Sequence, residues 1–546
     1  MNLPSKIDVL VVGFGPVGAV VANLLGGHGV RTLVIDRSPE LLTHPRAIAL
    51  DNEALRILQL AGLSEDAFAT LAIPYVCMHS PYCGEFARFN TGGSIDGHPK
   101  LVTFFQPELE QALRANVASH PTVHTALGVE LTELEERGET VIAILKRADG
   151  STTSVEATYV VGADGASSIV RRLIGLDFQG RTYAEDWLIV DARNVPRPID
   201  HVEFLCDPRR PTPHMVAPGG RERWEFMLQA GESPEEIATD ESIRRLLSRW
   251  GRPEDMVIER KAVYRFHARV ADAFRRGRVF LAGDAAHITP PFVGQGLVAG
   301  LRDAANLCWK LAWVLRHRAA PSILDSYDTE RRPHAKAMIA LARRMGRLVM
   351  PGNAAVAMLM HGLMRLIRLV PPLSTYVAEL GIKPKNRFAR GLFVAGRASS
   401  HLVRGGVLPQ GWLRGAEGST RLSDDVFGPS LTLIGFGLDA GARLDEATRA
   451  DFAACGGKVV QIRHRGQRLH RAAHGDSWED LHEALIPGAA PFGWAAIVRP
   501  DRTVLHDGPV TEVNRLVREA LVLLGAPRAA DIAPALPYRM NDGAVL

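Results

Sequence analysis

Val-Val-Gly-Phe-Gly-Pro-Val-Gly-Ala at Val11–Ala19 decides the fold of this chain. A continuous apolar run, Ile7–Val12, precedes it, as expected of a central parallel strand buried on both faces. Ala19–Gly26 continues it as a helix, and a second strand, Thr32–Ile35, ends at Asp36. Gly13, Gly15 and Gly18 then complete G-x-G-x-x-G inside a strand–turn–helix–strand unit. The first glycine permits the tight turn, the second lets backbone approach a pyrophosphate, and the third lets helix and strand pack closely. The helix N-terminus offers free N–H groups and partial positive charge to phosphates. Asp36, about 20 residues on, is placed to accept hydrogen bonds from a ribose. Any dinucleotide satisfies this pattern.

Two further glycine-marked segments narrow the ligand. Val-Val-Gly-Ala-Asp-Gly-Ala-Ser-Ser-Ile-Val-Arg-Arg at Val160–Arg172 follows an apolar strand and places Asp164 and Gly165 at its end. Arg-Val-Phe-Leu-Ala-Gly-Asp-Ala-Ala-His-Ile-Thr-Pro-Pro at Arg278–Pro291 ends another strand in Gly283 and Asp284, whose carboxylate suits ribityl hydroxyls. Pro291, Phe292, Gly294, Gly296, Leu297 and Val298 lead into a helix that runs to about His317. Glycines there admit a flat ring, and the helix N-terminus faces the flavin edge where negative charge develops on reduction. The three segments together read as one FAD site. Gly435-Phe436-Gly437 mimics a second nucleotide turn, but its next glycine, Gly441, comes one residue late, so it reads as a structural turn and no separate NAD(P) domain is expected.

Composition sets the outer bounds. The chain has 546 residues, 46% hydrophobic and 23% charged, with a formal net charge of +4, ordinary for a globular multidomain protein. No run of Lys/Arg with interleaved aromatics appears, so nucleic acid is not an expected partner. A mildly positive field suits anionic substrates and NADPH. Cys77, Cys83, Cys206, Cys308 and Cys455 form no C-x-x-C and no metal-ligand spacing, so no metal is expected and a reducing cytoplasm is. Asp8 interrupts the N-terminal flank, against a secretory signal. Ala354–Val370 carries His361, Arg365 and Arg368, which makes it a poor membrane span; an amphipathic helix packed on the body is expected.

The pattern of elements implies an α/β protein: a Rossmann-like FAD-binding domain at 1–185 and 271–350, an inserted antiparallel substrate sheet at 186–270, a helical connection at 351–400 and a compact α/β domain at 401–546. Trp187–Val190, Val202–Cys206, His214–Ala217 and Arg223–Leu228 are the expected strands of the insert.

The order of the three motifs resembles the single-component FAD-dependent aromatic hydroxylases, the class A flavoprotein monooxygenases. His-Pro-Arg-Ala-Ile-Ala-Leu-Asp-Asn-Glu-Ala-Leu-Arg at His44–Arg56, Arg-Trp-Glu-Phe-Met-Leu at Arg223–Leu228 and Tyr-Asp-Thr-Glu-Arg-Arg-Pro-His-Ala at Tyr327–Ala335 resemble the 3-(3-hydroxyphenyl)propionate hydroxylase group. The resemblance spans most of residues 5–345 and implies a thioredoxin-like C-terminal domain without redox cysteines, which the lone Cys455 matches. It implies that Arg46 holds or gates the flavin ring, that Gln106 contacts the cofactor's central portion, that Asp284 binds the ribityl chain and that Pro291 lines the flavin edge. Pro16, Val17, Arg37 and Val129 complete the expected cofactor set. Val298 stands where many relatives carry Asn, so any hold on the ring there falls to backbone amides.

The activity so implied is hydroxylation of a phenol, with a short acidic side chain favoured, by NADPH or NADH and O2 through a flavin C4a-hydroperoxide. The cofactor carries that chemistry, so no protein nucleophile is expected, and the pocket must exclude water. Trp224, Phe226 and Met227 are expected to contribute apolar pocket walls beside Pro291 and Phe292, and His214, with Arg46, is a catalytic candidate, placed to assist phenol deprotonation. Epoxidation or Baeyer–Villiger oxygenation of a polyketide-like substrate, a flavin-binding protein without turnover, and an NAD-dependent dehydrogenase stay open as alternatives. A homodimer without stable membrane insertion is the expected assembly.

Overall fold

The computed structural model describes residues 3–41, 45–379, 381, 383–396, 400–467 and 476–531. His44, the first residue of one family-like stretch, lies outside them. The chain divides into two compact units, Met1–Ala312 with Leu324–Gly391, and Trp313–Ile323 with Leu392–Leu546.

The first unit is built on two eight-stranded sheets. In one, Thr32–Asp36, Lys6–Val12 and Thr152–Gly162 run parallel and adjacent, and Val279–Leu281 adds in parallel to the C-terminal end of Thr152–Gly162. Their registers align Val12 with Gly162 and Gly162 with Leu281. The turns of all three glycine motifs therefore leave the same edge of neighbouring strands, the edge where open α/β sheets bind ligands. Val9, Leu10, Val11, Leu33, Val34, Val160 and Val161 are fully buried, which is why these strands are apolar without alternation.

The second sheet is antiparallel except for one pair. Its order is His287–Ile288, Val257–Ala271, Phe178–Arg193, Arg221–Met227, Thr212–Ala217, Val202–Leu205, Tyr75–Ser80 and Gly84–Asn90. This corrects the expected 186–270 insert. The sheet also takes in the Tyr75–Asn90 hairpin, and Val202–Leu205 pairs with Tyr75–Ser80 in parallel. The long strand Val257–Ala271 was not anticipated either. At the far edge, His287–Ile288 belongs to the third glycine motif, so one segment serves both sheets.

Side-chain alternation gives this sheet two different faces. Leu188, Val190, Trp224 and Phe226 point to one side and pack with Ile237, Ile243, Leu247 and Trp250 from a helical cover. Trp187, Ile189 and Met227 point to the other and pack with Phe292, Phe266 and Met345.

The helix expected at Ala354–Val370 forms over Ala354–Ile367. His361 is buried and stacks on Phe86 with ring centroids 4.1 Å apart. Leu359, Leu363, Leu366 and Leu369 nevertheless stay exposed. Among the described residues no single helix is long and apolar enough to cross a membrane; Ala354–Ile367 and Pro371–Ala378 pass that test only as a pair bent by 107°.

The second unit holds a seven-stranded mixed sheet. Leu431–Phe436 and Gly457–Arg463 are parallel, joined through the helix Glu446–Ala454. Trp494–Val498 and Val504–Pro509 add as an antiparallel hairpin, followed by the helix Val513–Leu524. This is the thioredoxin-like arrangement. Gly437 is a turn residue at φ +79°, and no helix starts there. Cys455 is buried, and all five cysteines are free thiols.

Candidate active site: a flavin cradle against an aromatic wall

The geometry of the first motif assigns its glycines separate tasks. Gly13 sits at φ +100°, and a Cβ there would stand 2.5 Å from Ala163 O and 2.8 Å from Asp164 Cα. At Gly18 a Cβ would stand 1.9 Å from Gly13 O, so only glycine lets the helix close on the strand. A Cβ at Gly15 would meet nothing within 4 Å, which leaves that backbone open to a ligand. Gly15 caps the helix Pro16–Gly27, with Pro16 in its first turn, so its free N–H groups face the same space.

The three motifs touch one another. Gly13 abuts the Asp164 turn, and Val17 lies against Gly283 and Gly300, where a Cβ would stand 3.0 and 2.6 Å from its Cγ2. Asp303 accepts from Gly283 N at 3.1 Å and from His287 at 2.7 Å, and Arg331 pairs with it at 2.9 Å. Tyr327 donates to Leu281 O at 2.7 Å. The Tyr327–Ala335 stretch is thus a brace for the third motif rather than a ligand contact.

Several expected contacts turn out to be engaged inside the protein. Asp36 accepts from Phe14 N at 2.7 Å and from Ser38 N at 2.8 Å, which fixes the loop. The Asp164 carboxylate accepts from Ser168 Oγ, Ile169 N and Val170 N and caps a short helix, so what it offers a ligand is backbone. Gly165 beside it turns at φ +78°. Gln106 Oε1 accepts from Arg46 N at 2.7 Å and Ala47 N at 2.8 Å, while its Nε2 donates to Glu110. Gln106 therefore shapes the Arg46 segment. Val129 is buried at the start of its strand, beside Leu127, which pairs with Asp36.

Other positions are free for a cofactor. Arg46 and Arg37 are exposed. Burial pushes the Asp284 carboxyl up, with His287 and Arg46 opposing, and no described residue donates a hydrogen bond to it. Pro291, Gly296 and Leu297 are half-buried at the start of the helix Gly296–Leu315, and Gly294 turns at φ +62°. Val298 is fully buried and presents no polar group. An open pyrophosphate turn, a carboxyl without a partner and an exposed arginine fit FAD. Gly15, Pro16 and Val17 would hold its phosphates, Asp36 and Arg37 its adenosine side, Asp284 its ribityl chain, and Arg46 with the 294–298 segment its ring.

The sequence missed the group that anchors Arg46 to the substrate sheet. Arg223 is buried and donates to Asp191 at 2.6 and 3.0 Å, to Arg46 O at 3.0 Å and to Pro45 O at 3.1 Å. Arg260 adds bonds to Pro45 O, Asp191 and Tyr264. Arg114, also missed, donates to Phe14 O at 2.9 Å and covers the Phe14 ring. Arginine beside an apolar strand residue in Arg223–Leu228 was the available signal.

The structure divides the expected pocket walls between the two faces of the sheet. Trp224 and Phe226 lie on the sheet face away from Phe292, against the helical cover. His214 shares that face: it stacks on Trp224 at 4.6 Å and bridges Glu203 at 2.9 Å and Glu222 at 2.6 Å. Burial lowers its pKa, but the two carboxylates outweigh that and raise it. Strand alternation explains the split, since a strand read in isolation does not say which of its faces packs against Phe292. The face that meets Phe292 carries Met227, Trp187, Tyr183 and Phe266, with Trp187 5.2 Å from Phe266 and 6.0 Å from Phe292.

Comparison with known proteins agrees with this geometry. Residues 6–342 match the FAD binding domain family and residues 405–522 the HcaD C-terminal domain. A 3-(3-hydroxy-phenyl)propionate/3-hydroxycinnamic acid hydroxylase 2 from Burkholderia vietnamiensis is 37% identical over 514 residues, 92% of this chain and 93% of that protein. A 3-(3-hydroxy-phenyl)propionate/3-hydroxycinnamic acid hydroxylase from Comamonas testosteroni is 32% identical, covering 97% of this chain and all of that one (100%). Among solved structures, the anhydrotetracycline hydroxylase OxyS of Streptomyces rimosus superposes with TM-score 0.74 at 25% identity, over 96% of this chain and 100% of its own. The flavin-dependent monooxygenase PieE, solved with FAD and substrate, has the same fold at TM-score 0.79 and 22% identity, over 95% and 99% of the two chains. The chain belongs to the FAD-dependent aromatic hydroxylases, the class A flavoprotein monooxygenases, in the group that includes the 3-(3-hydroxyphenyl)propionate hydroxylases.

Proposed function

We propose that this enzyme hydroxylates a phenol carrying a short carboxylic side chain, of the hydroxyphenylpropanoate or hydroxycinnamate type, with NAD(P)H and O2. The observation that carries the substrate class is the convergence of Phe292, directly after the third motif, with Trp187, Phe266, Tyr183 and Met227. The side-chain class comes from the named activities of the relatives. One oxygen atom of O2 enters the ring, the other leaves as water, and NAD(P)H supplies the two electrons.

FAD supplies the activation of O2 when bound. The chain's residues do the rest. Gly13, Gly15 and Gly18 with the helix Pro16–Gly27 would bind the pyrophosphate. The N-terminal end of Gly296–Leu315 would offer donors and partial positive charge to the ring. Arg223, Arg260 and Gln106 fix the backbone of the Arg46 segment from two sides, which would present its guanidinium to the ring from a fixed base. The aromatic wall excludes water, which protects productive transfer against release of H2O2. The five free thiols suit a reducing compartment, and we place the enzyme in the cytoplasm.

The test is a panel of phenols with and without acidic side chains, reading oxygen uptake, NAD(P)H oxidation and product mass under isotopically labelled dioxygen. The reading expects one labelled oxygen in the product and oxidation accelerated most by hydroxyphenyl acids. Acceleration without incorporation, or incorporation into ketones and alkenes only, overturns it.

A further inference from the structure

Glu225 is a buried carboxylate in the middle of the substrate sheet. It sits between Trp224 and Phe226 in the strand Arg221–Met227, so alternation turns it away from the helical cover and toward the face of Arg223 and Met227. Arg223 on one side of it ties down Arg46, and Met227 on the other packs beside Phe292. Glu225 therefore lies between residues that touch the two segments that would flank the flavin ring. Its strand neighbour across the sheet is Ile189, on the same face as Trp187.

Glu225 is 8% exposed, yet no described residue donates a hydrogen bond to its carboxylate. That is unusual, because a buried carboxyl without a partner is costly and is retained where something else uses it. The adjacent arginines do not bond to it: the hydrogen bonds that Arg223 and Arg260 make go to Asp191, Pro45 O, Arg46 O and Tyr264. Burial pushes the Glu225 carboxyl up to about 7, with Arg223 and Arg260 pulling it down and Asp191 pushing it further up. A group poised there exchanges protons readily near neutrality.

We propose that Glu225 receives the phenolic hydroxyl of the substrate and accepts its proton, so that the ring is oxygenated as a phenolate. The proposal rests on the reading of the enzyme as a phenol hydroxylase. The phenol O–H bond breaks, its electron pair stays on the substrate oxygen, and the proton goes to a Glu225 carboxylate oxygen. The oxygen atom added to the ring comes from O2, with electrons from NAD(P)H. The hydroxylated ring carbon then loses its own proton to water, and Glu225 returns its proton to the substrate oxygen, which restores the aromatic product. The charged and titratable groups around the carboxyl are Arg223, Arg260 and Asp191, with Tyr264 held by Arg260.

The experiment compares FAD-loaded wild type with Glu225→Gln and Glu225→Asp across phenols of graded acidity, reading coupled hydroxylation against pH. In Gln the expected loss is roughly a hundredfold for weakly acidic phenols, with recovery to within a few fold for phenols already ionised at the assay pH. The wild-type acid limb near 7 disappears in Gln and persists, displaced, in Asp. Flavin content and melting temperature stay near wild type. An equal loss with ionised and un-ionised phenols marks a structural role and overturns the proposal, as does wild-type turnover in Gln with the acid limb intact. If Gln does not fold, Asp carries the test: an acid limb unchanged from wild type overturns the proposal. Wild type that oxidises NAD(P)H but hydroxylates no phenol sinks the functional reading itself, and the proposal with it.

Discussion

Replacing Arg223 by Met should loosen the flavin site from behind. The side chain is buried and donates four hydrogen bonds, two to Asp191 and one each to the carbonyls of Arg46 and Pro45. Met fills a similar volume, so the loss is mainly electrostatic. Arg260 still reaches Asp191 at 3.3 Å and Pro45 O, which leaves Arg46 O as the acceptor without a donor. An orphaned buried acceptor costs about 1–3 kcal/mol, and breaking a buried ion pair from one side costs about 3–5 kcal/mol. The two overlap, and Arg260 compensates part of the second, so a net loss of about 3–5 kcal/mol is expected for the first unit. The Arg46 segment keeps its bonds to Gln106, so it should drift rather than unfold. FAD affinity is then expected to fall at least about tenfold, roughly 1.4 kcal/mol. The assay is a cycle of Arg223→Met, Asp191→Asn and the double variant, with denaturant unfolding followed by flavin fluorescence and FAD titration of the apoprotein. Coupling of about 1–3 kcal/mol between the two positions is the expected result. Additive effects within about 0.5 kcal/mol, together with unchanged FAD affinity, would refute the reasoning.

Gly18→Ala places a methyl 1.9 Å from Gly13 O, and it should raise the FAD dissociation constant at least about tenfold; equilibrium dialysis reads it, and wild-type affinity contradicts the role given to that glycine. Burial lowers the His214 pKa, but Glu203 and Glu222 outweigh it and raise the pKa, so the contribution of this group to stability is full below about pH 6.5 and fades as pH climbs through the folded value. His214→Gln should therefore lower the melting temperature more at about pH 6 than at about pH 9, and a pH-independent difference would show that the carboxylates do not hold a charge there. Trp224→Phe, on the covered face, should change stability and leave the KM for the phenol unaltered, while Met227→Ala, on the Phe292 face, should raise it several fold; the reverse pattern in steady-state kinetics would mean that the faces are assigned wrongly.

What the sequence disclosed followed from local chemistry. Gly13, Gly15 and Gly18 do different jobs at fixed spacing, and the strands before and after them are apolar because both faces are covered, so the nucleotide unit could be read without tertiary knowledge. Asp164 and Gly283 were legible as turn markers, although the Asp164 carboxylate proved to be a helix cap. The substrate sheet was harder. Alternation reveals that Trp224 and Glu225 face opposite ways, but which way is inward depends on packing against Phe292, from a segment more than sixty residues along the chain. Val257–Ala271 carries charged residues on both faces, so it lacked an apolar stripe, and Arg260 points inward only because Asp191 waits there. The Tyr75–Asn90 hairpin joins its sheet across more than a hundred residues, a contact that no local pattern encodes.

The convergence of the three glycine motifs on one cofactor is tested most directly by a structure of the protein crystallised with FAD. The account predicts one FAD per chain, its pyrophosphate at Gly13–Gly18, its ribityl chain at Asp284 and its ring between the Arg46 segment and Gly294–Val298, facing the wall formed by Trp187, Phe266 and Phe292. A ring bound on the Trp224 side of the sheet, or a pyrophosphate away from Gly15, would contradict it.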